Sequence, residues 1–441
     1  MKHTFFVIML CLLPLTAAAQ RADQRAATLI NQADWFTLRN EFPSLRDSMQ
    51  YDFLRLMAES MLNYHFGQDT EAVANIAELL NHHQEELGTA TSLSMNYLRL
   101  SILGRMGQYT EAADGAKSVI DQLAGLGADE LLVPAIRIYN TYAPIRAYPA
   151  PQLVRSAQDV AVPFNCVVID DVKREEWMRT GKIQRRDSLL SVPVAIHGKT
   201  YPFIFDTGAS QTMIALRKVQ ELGLPILTDT LTIGSADGQE KICSYAFIDS
   251  LSVGGITYRN MMALVGTDTT LAHHTQKLDF ILGVDFIRAV GEVQINMDKR
   301  EMLFPAKPTP RPATGSNIYL EQVPYLHASK DGRPLLFCFD TGCAGATLSS
   351  NYYQKFSDEV KAIATPDTIT TMGYGTIDTH EVLYLPSVSL AINDMSVTIR
   401  EIHLDPTATD NTDGRMGTAL LCLFRRITIN MQEMFIEFSD K

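Results

Sequence analysis

The chain has 441 residues, 46% of them hydrophobic and 20% charged, with a formal net charge of −12. At roughly 150 residues per domain that length predicts two to three domains, and the acidic balance argues against nucleic acid or an anionic membrane surface as the main partner. Met1-Lys2-His3, the apolar run Phe5 to Leu15 and Ala17-Ala18-Ala19 read as a signal peptide over residues 1–19, with an apolar stretch too short to span a bilayer. The expectation is an exported protein, periplasmic or secreted, soluble after cleavage and without an integral membrane span. Five cysteines follow: Cys166, Cys243, Cys338, Cys343 and Cys422. An odd number at irregular spacing predicts buried thiols rather than a disulfide framework.

Residues 20–145 read as an all-α domain. Apolar positions recur at helical spacing, as in Phe53, Leu54, Met57 and Met61, then Val73, Ile76, Ala77 and Leu80. Phe66-Gly67-Gln68-Asp69-Thr70-Glu71-Ala72 is echoed by Met106-Gly107-Gln108-Tyr109-Thr110-Glu111-Ala112, an offset of 107 − 67 = 40. Glycine ends one helix and Thr-x-Ala opens the next. The pattern resembles irregular tetratricopeptide-type helical hairpins; a generic helical bundle is the other reading. Either supplies a surface, and hence a possible protein partner, rather than chemistry.

Pro149, Pro151 and Pro163 mark residues 146–163 as a connector. Beyond it, short apolar or alternating runs separated by Gly, Asn and Asp predict an all-β region. A first part spans 164–304. Pro305, Pro308, Pro310 and Pro312 make 305–316 an extended linker, and a second part spans 317–441. Both parts carry an apolar run ending in Asp-Thr-Gly: Phe203-Ile204-Phe205-Asp206-Thr207-Gly208 and Phe337-Cys338-Phe339-Asp340-Thr341-Gly342. Asp206 lies 283 − 206 = 77 residues before Gly283, and Asp340 lies 417 − 340 = 77 before Gly417. Ile295-Asn296-Met297 and Ile429-Asn430-Met431 follow at the same offset, 340 − 206 = 134. The β region is therefore a duplication, and a carboxylate delivered twice into an apolar setting predicts two groups brought together.

On these motifs, residues from about 185 to 441 resemble the pepsin/retropepsin superfamily of aspartic proteases. The resemblance implies a multidomain protein whose helical-hairpin domain precedes a bilobal, double β-barrel acid-protease domain. It implies an aspartic-type endopeptidase that hydrolyses peptide bonds with water activated by Asp206 and Asp340, with no metal and no other cofactor. Two carboxyls in contact share a proton, so one can act as base while the other polarises the carbonyl. Thr207, Gly208, Thr341 and Gly342 would support the pair, the threonines bonding across the lobe junction. Ser235, Ala236, Asp237 and Gly238, with Gly373 and Tyr374, are the candidates for substrate-covering hairpin tips. The substrate would be a peptide or protein.

Ala209 and Cys343 stand where pepsin-like enzymes carry Ser or Thr. A missing donor to the charged form implies a less acidic pair and an activity optimum nearer neutral than pepsin's. Cys343 reads as a small filler of the turn, with a redox-sensitive thiol as the other reading. Ala344 and Arg415 replace the Ser210 and Ile281 of the first copy, so the second copy is the more divergent. The rival reading is a catalytically weak, peptide-binding module with the helices as a docking platform. The doublets His82-His83 and His273-His274 lack metal-ligand spacing, and no Cys-x-x-Cys, Gly-x-Ser-x-Gly or phosphate-binding glycine loop is present.

Overall fold

A computed structural model describes residues 17–125, 127, 129–155, 157–168, 188–234, 240–266, 278–373, 376–409 and 411–439. The chain divides into two compact units, Met1–Pro151 and Gln152–Lys441. The His273-His274 doublet lies outside the described residues.

The first unit is helical. Its described α-helices are Ala17–Asn31, Trp35–Arg46, Asp52–His65, Asp69–His82, Gln84–Arg105, which is broken by a kink at Gly88, Tyr109–Leu123 and Asp129–Tyr142. Asp34 caps the second by accepting from Thr37 N–H at 3.1 Å, satisfying one of the donors a helix start leaves open. The two Gly-Gln turns fold alike. Gln68 N–H donates to Asn63 C=O and Gln108 N–H to Leu103 C=O, at 2.8 and 2.9 Å. Gly67 and Gly107 sit between at φ 80° and 82°, a left-handed conformation that glycine adopts without steric cost. Each turn folds the following helix back on the preceding one, Asp69–His82 on Asp52–His65 and Tyr109–Leu123 on Gln84–Arg105. Leu100, Leu103, Ala112, Ala116 and Ile138 form a core between three of these helices. No described helix is long and apolar enough to cross a membrane.

The described strands of the second unit form three sheets. The first contains Lys199–Phe205 between Ser188–Ile196 and Phe280–Leu282. The third contains Arg333–Phe339 between Pro324–Lys330 and Gly414–Met416. Their registers obey the 134-residue offset. Ile204 and Phe205 pair in parallel with Ile281 and Leu282, as Cys338 and Phe339 pair with Arg415 and Met416. Met213–Ala215 and Ala346–Leu348 pair antiparallel to the strands of Ile281 and Arg415. Phe203, Phe205, Phe337 and Phe339 are buried, and each such ring contributes about 1.5–3 kcal/mol of apolar transfer. The strands that deliver the two aspartates are thus anchored from beneath.

The remaining sheet joins the two halves. Its order is Val160–Pro163, Glu301–Phe304, Glu292–Asn296, Arg426–Asn430 and Phe435–Ser439. Glu292 lies opposite Asn430 and Asn296 opposite Arg426, with Gln294 and Thr428 at the centre. Because 292 and 296 become 426 and 430 at the 134 offset, the pairing is symmetric about its middle. Buried Glu292 accepts from Thr309 N–H at 2.5 Å and from Asn430 Nδ2 at 2.8 Å. The proline-rich stretch is thereby fastened to the joining sheet.

One expectation is corrected. The supposed connector 146–163 supplies two strands. Gln152–Val154 pairs with Ile256–Gly266, and Val160–Pro163 with Glu301–Phe304. Pro163 is tolerated because its strand is an edge, where a missing N–H breaks no ladder on the open side.

Candidate functional site

Phe205 and Phe339 end their strands, and the chain turns at once. Asp206 N–H donates to Leu282 C=O at 3.0 Å and Asp340 N–H to Met416 C=O at 2.9 Å. Further round each turn, Val284 N–H donates to Ala209 C=O and Thr418 N–H to Cys343 C=O, both at 2.8 Å. Every one of these bonds recurs at the 134 offset, so both aspartates are held by the same backbone frame.

The two turns meet. Thr207 Oγ1 accepts from Thr341 N–H, and Thr341 Oγ1 accepts from Thr207 N–H, both at 3.0 Å. Each hydroxyl also donates across to the other strand's end, Thr207 to Phe339 C=O and Thr341 to Phe205 C=O, both at 2.7 Å. Both threonines are fully buried. Gly208 and Gly342 lie against the opposite aspartates. A methyl group at Gly208 would stand 2.2–2.6 Å from the Asp340 carboxyl, and one at Gly342 would stand 2.4 Å from that of Asp206. Only glycine allows that approach.

Asp206 and Asp340 are therefore neighbours, each carboxyl lying against the glycine of the other's turn. Burial raises the Asp206 carboxyl well above the usual carboxylate range, and the Asp340 charge raises it further. Asp206 Oδ1 accepts from Gly208 N–H at 2.8 Å and Ala209 N–H at 3.1 Å. Asp340 Oδ1 accepts from Gly342 N–H at 2.8 Å. Cys343 N–H turns instead to the Asp340 backbone carbonyl, at 3.1 Å.

A residue outside the sequence-derived site completes it. Arg415 Nη1 donates to Asp340 Oδ2 at 2.5 Å. Asp340 is 4% exposed, whereas the Arg415 side chain retains 35% of its accessible surface. The signal available in the sequence was the replacement of Ile281 by Arg at the matching position. What sequence could not supply was the parallel pairing of Arg415 with Cys338, two residues before Asp340. Cys343 lies in the same neighbourhood. Desolvation and the adjacent Asp340 push its thiol up to about 11, which keeps it in the unreactive protonated form.

The hairpin-tip candidates fare differently. Ile226–Gly234 pairs with Glu240–Val253, ending at Gly234 opposite Glu240, and Thr365–Gly373 pairs with Thr376–Ile392, ending at Gly373 opposite Thr376. Ser235, Ala236, Asp237, Gly238 and Tyr374 lie outside the described residues. Buried Tyr245 donates through its hydroxyl to Gln211 Oε1 at 3.0 Å, five residues past Asp206. Among the described residues no group of three or more His, Cys, Asp or Glu side chains is placed to hold a metal ion.

Asp285 underpins the first turn. It accepts from Thr212 N–H at 3.0 Å and from Thr212 Oγ1 at 2.8 Å. Desolvation pushes its carboxyl up to about 6, against the opposing pull of the Thr212 and Phe286 donors. The folded chain thus holds this proton more tightly than the unfolded chain, whose aspartates titrate near about 3.9. Stability from this group is present below about pH 4 and is lost as pH rises to about 6. Thermal melts of wild type and Asp285→Asn should therefore converge or cross over that interval, the wild type losing ground as pH increases. Parallel melting curves would contradict the burial cost assigned to Asp285.

Residues 192–286 match the family model described as aspartyl protease. The matched segment contains the Asp206 turn, Gly283 and Asp285; Asp340 lies beyond it. Among solved structures the chain is similar to a retropepsin-like aspartic protease from Rickettsia conorii. The identity is 15% and the TM-score 0.20, covering 35% of this chain and 91% of that one. No curated protein matches the chain.

Proposed function

We propose that this chain is an exported aspartic endopeptidase, with Asp206 and Asp340 as the catalytic pair formed between two homologous lobes. The observation that carries the reading is the meeting of two carboxyls from equivalent turns, braced by reciprocal threonine bonds. The aspartyl protease match over residues 192–286 supports it. With one proton shared between them, one carboxyl accepts a proton from water while the other donates to the scissile carbonyl oxygen. Water attacks the carbonyl carbon, and the leaving amine takes up the proton that water lost. Neither a metal nor a covalent enzyme intermediate is required. The substrate is a peptide or protein segment lying over the two turns. The leader over residues 1–19 would direct export, and the helical unit would offer a protein-docking surface.

Cleavage of a mixed peptide library by the full chain is the test. Asp206→Asn and Asp340→Asn should each lower kcat/KM by about 10²–10⁴-fold, and pepstatin should inhibit the wild type. Cleavage that survives Asp206→Asn unchanged would refute the mechanism.

A further inference from the structure

The two copies of the turn share the backbone bonds that tie each aspartate to the neighbouring strand, yet they differ in charge at one position of that strand. Where Ile281 stands in the first half, Arg415 stands in the second, and its guanidinium is bonded to Asp340 Oδ2 at 2.5 Å. Among the described residues no such cation is bonded to Asp206; its Oδ1 receives two backbone N–H donors instead. Among the described residues the other titratable groups that act on the pair and on Arg415 are Cys343, from the Asp340 turn, and Cys338, beside Arg415 in the parallel ladder. The Cys343 thiol is held protonated, so it brings no charge to the site. The symmetry of the pair is thus broken by one arginine.

We propose that Arg415 is a positioning residue that fixes the negative charge of the pair on Asp340 and leaves the shared proton on Asp206. A guanidinium bonded to one of two touching carboxyls favours the microstate in which that carboxyl is the anion. The neighbouring carboxyl, buried and beside that anion, keeps the proton. The same cation stabilises the singly charged pair against the neutral pair. It therefore extends the one-proton state to lower pH, counteracting the loss of side-chain donors at Ala209 and Cys343. As regards catalysis the proposal rests on the endopeptidase reading; as regards charge placement it stands on the ion pair.

The test compares wild type, Arg415→Ile and Arg415→Lys as full chains, in two measurements. The first is the pH dependence of kcat/KM on a cleaved peptide. Arg415→Ile, which restores the residue of the first half, should move the acid limb upward by about one to three pH units, and Arg415→Lys should bring it part of the way back. The second is the melting temperature against pH, which needs no turnover. Relative to wild type, Arg415→Ile should lose stability as pH rises from about 3 to about 6, because the carboxylate then forms without its cation. If Arg415→Ile fails to fold, Arg415→Lys is read alone and should still displace both curves. A uniform drop in activity with an unmoved profile, together with parallel melting curves, would overturn the role of Arg415 and leave the endopeptidase standing. A displaced melting curve in a chain that cleaves nothing would overturn the endopeptidase reading and leave the charge placement standing.

Discussion

A Gly342→Ala chain should lose about 10²-fold or more of the proposed peptide-cleaving activity while keeping its helices and sheets. The added methyl would stand 2.4 Å from the Cγ and both carboxyl oxygens of Asp206, far inside van der Waals contact. Gly342 is tied by its own N–H to Asp340, so the turn cannot simply back away. The Asp206 carboxyl must move by about 1 Å, a displacement that can cost about 10²-fold where reacting groups must be aligned. Gly208→Ala should act in the same way through Asp340, where the contact would be 2.2 Å. Steady-state kinetics beside far-ultraviolet circular dichroism would check both. Activity within twofold of wild type would mean that the turns do not approach each other this closely.

The second large effect concerns stability. Thr207→Val keeps the shape of the side chain but removes the hydroxyl that accepts from Thr341 N–H and donates to Phe339 C=O. Both partners would be left buried without a bond. Each such loss costs about 1–3 kcal/mol, so the expected penalty is about 2–5 kcal/mol in urea unfolding. Thr207→Ser, which keeps the hydroxyl, should cost much less. Thr341→Val should mirror Thr207→Val, because its hydroxyl makes the reciprocal bonds. The double variant should depart from additivity, since the four bonds form one network. A Thr207→Val penalty below about 0.5 kcal/mol, the range of an ordinary surface change, would remove the threonines from any bracing role.

Much of the site was legible because duplication writes geometry into spacing. The 134-residue offset that relates Asp206 to Asp340 also relates Ile204–Ile281 pairing to Cys338–Arg415 pairing. A reader of the sequence could name both aspartates, both threonines and both glycines without coordinates. Two features resisted that reading for physical reasons. Residues 146–163 read as a connector because Pro149, Pro151 and Pro163 mark the stretch, yet an edge strand needs hydrogen bonds on one side alone, and Val160–Pro163 fills such a place. Arg415 was visible as a departure from Ile281, but a side chain's reach depends on which strand lies beside it. The parallel partner of Gly414–Met416 lies far away in sequence. Local spacing carries turns and strand periodicity well; it carries a guanidinium's destination poorly.

The joining sheet sets the kinetic order of assembly. Glu292–Asn296 and Arg426–Asn430 pair within one polypeptide, and the proline-rich stretch between the two halves is clamped to Glu292 by Thr309. Bringing the two aspartates together is consequently a first-order event, governed by the effective concentration that the tether imposes rather than by protein concentration. Dilution leaves the pair intact, so the site persists at concentrations where an assembly of two separate chains would fall apart.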